Sequence, residues 1–317
     1  MKKSSPVLLL FVFMFSACAP APAAPSTGSP LVSTAASSPL PVVVTATGSP
    51  VPGGTADPAF TSTPDTRLPP ERWQEWPVVP TVSPRMIAVF RQGQALGRDP
   101  ARFSKVGDCQ NVESLFLGPF DHPGEYRLGE YAALQPAIDQ FSGSWSRDSL
   151  AVGGGMNVLS QLSPLWANAD YCEKTESPLA CEIRVNNPNI VIVSLETNWD
   201  KKSAAAYEAA MRRVVEYVLS QGVVPILATK ADNQEGDNSI NAAIVRVAYD
   251  YDVPLWNFWA AVQPLPDHGL TADGFHLTHA PPFFDDPLRM KQAWPWRNLT
   301  ALQSIDSVWR GLTAGQP

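Results

Sequence analysis

The sequence predicts an α/β domain: a three-layer sandwich with a mostly parallel central sheet. Three observations carry this. Asn189–Leu195 (NIVIVSL) is a continuous β-branched run, as expected of a strand buried on both faces. It is followed by a stretch, 202–220, in which Tyr207, Met211, Val214 and Val218 recur at helical spacing, with Gly222 just beyond the end. A second buried run, Val223–Ala228 (VVPILA), comes next. Strands separated by amphipathic helices argue for parallel pairing with both faces covered.

The remaining elements fit the same alternation. Residues 102–108 read as a strand ending in the turn Val106-Gly107-Asp108. Residues 148–152 read as a second short strand running into Gly153-Gly154-Gly155. Ile240, Ile244, Val247 and Tyr251 mark another helix, 253–258 a further strand, and 299–312 a closing helix with Leu302, Ile305 and Trp309 on one side. The segment 85–102 and the stretches 111–147 and 279–298 show no clear pattern, and no internal repeat is visible.

The N-terminus is different in kind. Lys2 and Lys3 precede the apolar run Val7–Phe15, long enough for a signal core and too short to span a bilayer. Phe15-Ser16-Ala17-Cys18 then resembles a bacterial lipobox, with Phe where Leu is usual. The resemblance implies cleavage before Cys18, a lipid on that cysteine, and anchoring to the outer face of the cell membrane. The alternative is an ordinary secretory signal cut near Ala21 or Ala24. From Ala19 to Ala56 no residue is charged, and 12 of the 32 prolines lie between Cys18 and Pro70. Such composition gives an extended tether rather than a packed core. The expected organisation is a signal peptide over 1–17, a lipidated tether over 18–71 and one globular domain over 72–317.

Charge and cysteine content narrow the function. The net charge is −7, and there is no Lys/Arg cluster, which argues against binding a phosphate backbone. Removing Lys2 and Lys3 with the signal takes it to about −9. An exported chain favours disulfides. Cys172 and Cys181 flank a short polar loop and are expected to pair. With Cys18 lipidated, Cys109 is then left over.

In parallel sheets, ligands bind at the carboxyl ends of the strands. In that position the chain carries Gly107-Asp108-Cys109, then Gly155-Met156-Asn157, then Glu196-Thr197-Asn198-Trp199, and finally Asp273-Gly274-Phe275-His276-Leu277. A nucleophile, backbone and amide donors, and an Asp-x-x-His pair are the parts that acyl transfer needs. In this order the sequence, over about 103–277, resembles the SGNH hydrolase superfamily, the GDSL-type esterases and lipases. The resemblance implies an SGNH-like fold, with Cys109 in the place of the nucleophilic Ser. Gly155 and Asn198, with the Cys109 amide, match the oxyanion donors, and Asp273 and His276 complete the triad. Two departures stand out: Gly-Asp-Cys replaces Gly-Asp-Ser, and Glu-Thr-Asn-Trp replaces Gly-x-Asn-Asp. Gly153 or Gly154 could serve instead of Gly155, Asn198 could also cap the following helix, and Asp108 is expected to fix its turn.

The implied activity is hydrolysis of an acyl ester, such as an acetyl group on an envelope or environmental carbohydrate, through a Cys-His-Asp triad. No metal or organic cofactor is implied. The expected partners are a glycan-like or acyl-ester small substrate and, through the lipid alone, the membrane, with no nucleic acid; the protein is expected to be monomeric. An acyl-transferase and a catalytically silent surface protein that binds a glycan or acylated ligand are the rivals. A free Cys109 thiol beside His276 favours the enzyme, and a disulfide at Cys109 favours binding.

Overall fold

The computed structural model describes residues 67–195 and 203–314. The signal peptide expected over 1–17, the tether expected over 18–71 as far as residue 66, Cys18, the expected lipidation site, and the candidate donor Asn198 lie outside the described residues. The helices and strands are α1 (Pro84–Ala95), β1 (Asp99–Gly107), α2 (Gln135–Gln140), α3 (Pro178–Asn186) and β2 (Pro188–Ser194). They continue with α4 (Ala204–Ser220), β3 (Val224–Ala228), α5 (Ser239–Tyr251), β4 (Leu255–Trp256), α6 (Phe258–Val262) and α7 (Ala293–Thr313).

The four strands form one parallel sheet in the order β1-β2-β3-β4. Gly107 is in register with Ser194, Val193 with Leu227, and Ala228 with Trp256, so all the carboxyl ends share one edge. Right-handed crossovers that advance in one direction put their helices on one face of a sheet. α4 and α5 accordingly pack on each other and on β3. The opposite face is covered from outside the crossovers: α1 packs on β2, β3 and α7, while α7 also reaches β4. β2 is buried along its whole length, as its unbroken apolar run requires. The three-layer α/β expectation is met.

Several boundaries differ from the sequence reading, each for a physical reason. The segment 148–152 is no strand; it contributes a single parallel bridge, Val152 to Gly107. Its polar groups are engaged elsewhere: Leu150 N donates to Glu182 Oε2 at 2.9 Å, and Ser149 Oγ to Lys105 O at 2.6 Å. β4 is only two residues because Asn257 N leaves the sheet to bond Val78 O at 3.0 Å. Asn257 Nδ2 also donates to Trp73 O and Trp76 O, at 3.0 and 3.1 Å. These bonds fasten a 3₁₀ turn at Pro70–Glu75, which starts the ordered elements two residues before the expected boundary. α1 was not expected at all. Its interior Gly93 weakens the helical signal, but a Cβ there would lie 2.0 Å from Gly222 O, so the close approach of the α4–β3 turn demands glycine. α7 starts six residues before the expected Leu299, with Pro295 tolerated in its first turn.

Candidate functional site

The base half of the candidate site is a small hairpin beyond α6. Leu270 and Leu277 form an antiparallel bridge, and Thr271 N bonds His276 O at 2.8 Å. Gly274, at φ +68°, turns the chain between them. Asp273 organises this turn. Its Oδ1 accepts from Thr271 Oγ1 at 2.6 Å and from the Phe275 and His276 amides, each at 2.9 Å. Its Oδ2 lies 2.5 Å from His276 Nδ1. The hydrogen bond to His276, followed by those from Thr271 and the two amides, holds the Asp273 carboxyl well below the usual carboxylate range. With Nδ1 held by a carboxylate, Nε2 is the ring nitrogen that can take up a proton. Gln234, in the loop after β3, donates from Nε2 to Gly274 O at 2.9 Å and ties the hairpin to the sheet edge.

The nucleophile half stands at the end of β1. Asp108 is buried and does what its turn position implies, accepting Gln110 N at 2.9 Å. The following Asn111 donates to Ser194 O at 3.0 Å, which locks the β1 turn against the end of β2. Arg297 of α7 reaches the same place, with Nη2 at 2.9 Å from Ser194 Oγ. Its guanidinium is buried among Phe116, Phe258 and Trp256, whose ring centroids lie 4.7, 5.1 and 5.3 Å away.

Cys109 departs from expectation. It is disulfide-bonded, and no cysteine among the described residues is free. The physical reason is general: outside a reducing compartment, a thiol with a partner in reach pairs. A disulfide sulfur has no proton to yield to His276 and no thiolate with which to attack a carbonyl. The Cys172–Cys181 bond, by contrast, forms as expected, with its Cα atoms 5.3 Å apart. It ties the polar loop to the first turn of α3, where Cys181 is buried.

Of the glycine triplet, Gly155 alone has a positive φ, +79°, in a turn closed by Met156 N on Gly153 O at 3.2 Å. That requirement explains the glycine without catalysis. The triplet nevertheless follows Val152, which pairs beside Gly107, so Gly155 stands on the same edge as Cys109. Asp273 and His276 are brought into direct contact; Cys109 and Gly155 share the sheet edge.

The sequence reading missed three parts of this region. Thr271 had a signal, since a hydroxyl two residues before Asp273 is within reach of its carboxylate. Arg297 had none, as it reaches the site from the far end of the chain. The third is a cleft of about 650 Å³ beside the glycine turn, lined by Arg147, Asp148, Leu150, Met156, Trp166 and Tyr171 among others. Arg147 of this lining belongs to a polar network in which Glu182, fully buried, accepts from Arg147 Nη1 and Nη2 at 2.5 and 2.9 Å and from Ser104 Oγ at 2.6 Å. Cys172, Glu176 and Cys181 are the one group of potential metal ligands that converge among the described residues, and both sulfurs are committed to the disulfide.

No protein-family model matches the chain, and no curated protein matches it. Among solved structures, a GDSL-like lipase from Bacteroides thetaiotaomicron is similar, at 14% identity and a TM-score of 0.39, covering 70% of this chain and 98% of its own. The fold class rests on the parallel sheet and its flanking helices, not on this likeness.

Proposed function

We propose that the domain is an SGNH-type ester hydrolase, exported and anchored through Cys18, that is silent while Cys109 is disulfide-bonded and active when Cys109 is a thiol. One observation carries the reading: the Asp273–His276 dyad, with Nδ1 at 2.5 Å from a carboxylate already fixed by three further donors. A histidine held in this way is a general base with its tautomer and orientation set in advance.

In the thiol form, His276 Nε2 takes the Cys109 proton and the thiolate attacks the ester carbonyl, forming a C–S bond. The amides of Cys109 and Gly155 and the Asn198 side chain donate to the oxyanion. Collapse expels the alcohol, which receives the proton from His276. Water, losing a proton to Nε2, then cleaves the thioester and restores the thiol.

Cysteine arithmetic links this reading to anchoring. The chain has four cysteines, and with Cys172 bonded to Cys181, Cys18 is the one intrachain partner left for Cys109. A lipid thioether on Cys18 and an intrachain Cys109 disulfide exclude one another. In this reading, lipidation keeps Cys109 reduced.

A second reading, a silent glycan-binding or acyl-binding surface protein, is favoured by the oxidised Cys109. Non-reducing peptide mapping of the membrane-extracted protein, together with hydrolysis of aryl acetates and acetylated sugars, separates the two. The hydrolase predicts turnover by the thiol form, lost in Cys109→Ala and kept in Cys109→Ser. Absence of turnover by reduced wild type and Cys109→Ser alike, with the fold intact, gives the case to the binding protein.

A further inference from the structure

The cleft beside the glycine turn has two features that together call for a ligand. The first is exposed aromatic surface. Trp166 is 45% and Tyr171 62% exposed, although large aromatics ordinarily bury their rings, and both line one concavity with Leu150 and Met156. The second is rigidity. Tyr171 N and Cys172 N both bond Asn168 O, at 3.1 and 2.9 Å, and Asn168 Oδ1 takes Asp170 N at 3.0 Å. Arg184 Nη2 holds Tyr171 O at 2.9 Å, and the Cys172–Cys181 bond pins the next residue to α3. A loop backbone fastened this firmly has already lost the freedom that binding would otherwise cost it.

The rest of the lining selects the ligand. Asp148, Asn168 and Arg147 stand around the rings. Flat aromatic faces interspersed with hydrogen-bonding side chains match a pyranose, whose C–H faces are apolar and whose equatorial rim is hydroxylic. An acyl chain would cover the exposed Asp148 carboxylate and offer it no hydrogen bond in return. The cleft volume lies within the range of small-ligand sites, about 300–1,000 Å³.

We propose that this cleft binds a short run of pyranose residues, stacked on Trp166 and Tyr171. The Trp166 ring lies 3.7 Å from where a Gly155 Cβ would stand, so a sugar on that ring is placed next to the glycine turn. The cleft thus holds the non-reacting, saccharide part of the substrate; that role rests on the proposed hydrolase, whereas the binding does not.

The test is calorimetric titration of the full chain with cellohexaose, chitohexaose and xylohexaose, with circular dichroism as the fold control. At least one should bind saturably. Trp166→Ala and Tyr171→Ala should each weaken it about tenfold or more, as aromatic anchors do. Leu165→Ala should not, because that neighbouring side chain is 94% exposed and outside the lining. His276→Ala should bind as wild type does. Sugar binding without ester turnover in the thiol form would sink the hydrolase and leave the cleft assignment standing. The assignment is overturned if none of the three sugars binds, or if Leu165→Ala weakens binding as much as Trp166→Ala.

Discussion

The two halves of the candidate site are built in opposite ways. The base half is local and exposed: the hydrogen bonds that shape Asp273 and His276 come from within a few residues, and both side chains are about half-exposed. Behind the partly exposed Cys109, the nucleophile half is buried and assembled from distant segments, with Asn111 reaching Ser194 and Arg297 arriving from α7 to hold the same Ser194. The local half can lose its chemistry without disturbing the fold. The buried half cannot be changed without changing stability.

The sharpest test of that contrast is His276→Ala. In the thiol form it should lower kcat by about 10³-fold, the range of a lost general base, while the unfolding free energy changes by no more than about 0.5 kcal/mol. A large stability loss would erase the contrast. Arg297→Ala should do the reverse to the fold. It empties a site among Phe116, Trp256 and Phe258 and removes the donor to Ser194 Oγ, at a cost of about 3–4 kcal/mol in urea unfolding.

Lys105, in the buried half, gives a pH signature. Burial pushes its ammonium down to about 8 from the ordinary 10.5, although Nζ donates to Trp145 O at 2.8 Å. Between those values the unfolded chain binds the extra proton, so stability rises with pH. Relative to Lys105→Met, wild type should gain up to about 3 kcal/mol from pH 8 to 10.5. A flat difference would mean the ammonium is not desolvated. The Cys172→Ser/Cys181→Ser pair should cost about 2–3 kcal/mol on the chain-entropy model, with the dyad unaffected.

The smallest effect belongs to the exposed half. Asp273 is held below the usual carboxylate range, so its contribution is present above about pH 4 and is lost as pH falls through its lower folded value. The stability difference between Asp273→Asn and wild type should be constant above about pH 4 and shrink only as pH falls below it, and it should be small throughout, because solvent screens exposed pairs.

This contrast also explains what could be read from the sequence. Asp273-Gly-Phe-His276 was legible because the turn, its glycine and both functional groups lie within four residues. β2 and β3 were legible because burial on both faces leaves an uninterrupted apolar run. Arg297 was not, since a buried guanidinium ringed by aromatics looks in sequence like any charged residue on a helix. Nor was α1, whose Gly93 answers to Gly222, a residue 129 positions away. The thiol state of Cys109 was misread because spacing reveals which cysteines can pair, not which compete for one partner.

The bonds from Asn257 to Trp73, Trp76 and Val78 have a mechanical consequence. If the preceding residues hold the domain to a membrane, any pull along them reaches the sheet first at this clasp, beside β4. Three hydrogen bonds from one residue beside a two-residue strand hold it, against the long ladder between β1 and β2. Load would strip the clasp and lengthen the leash while β1, β2 and the turn that carries Cys109, at the far side of the sheet, stay in place.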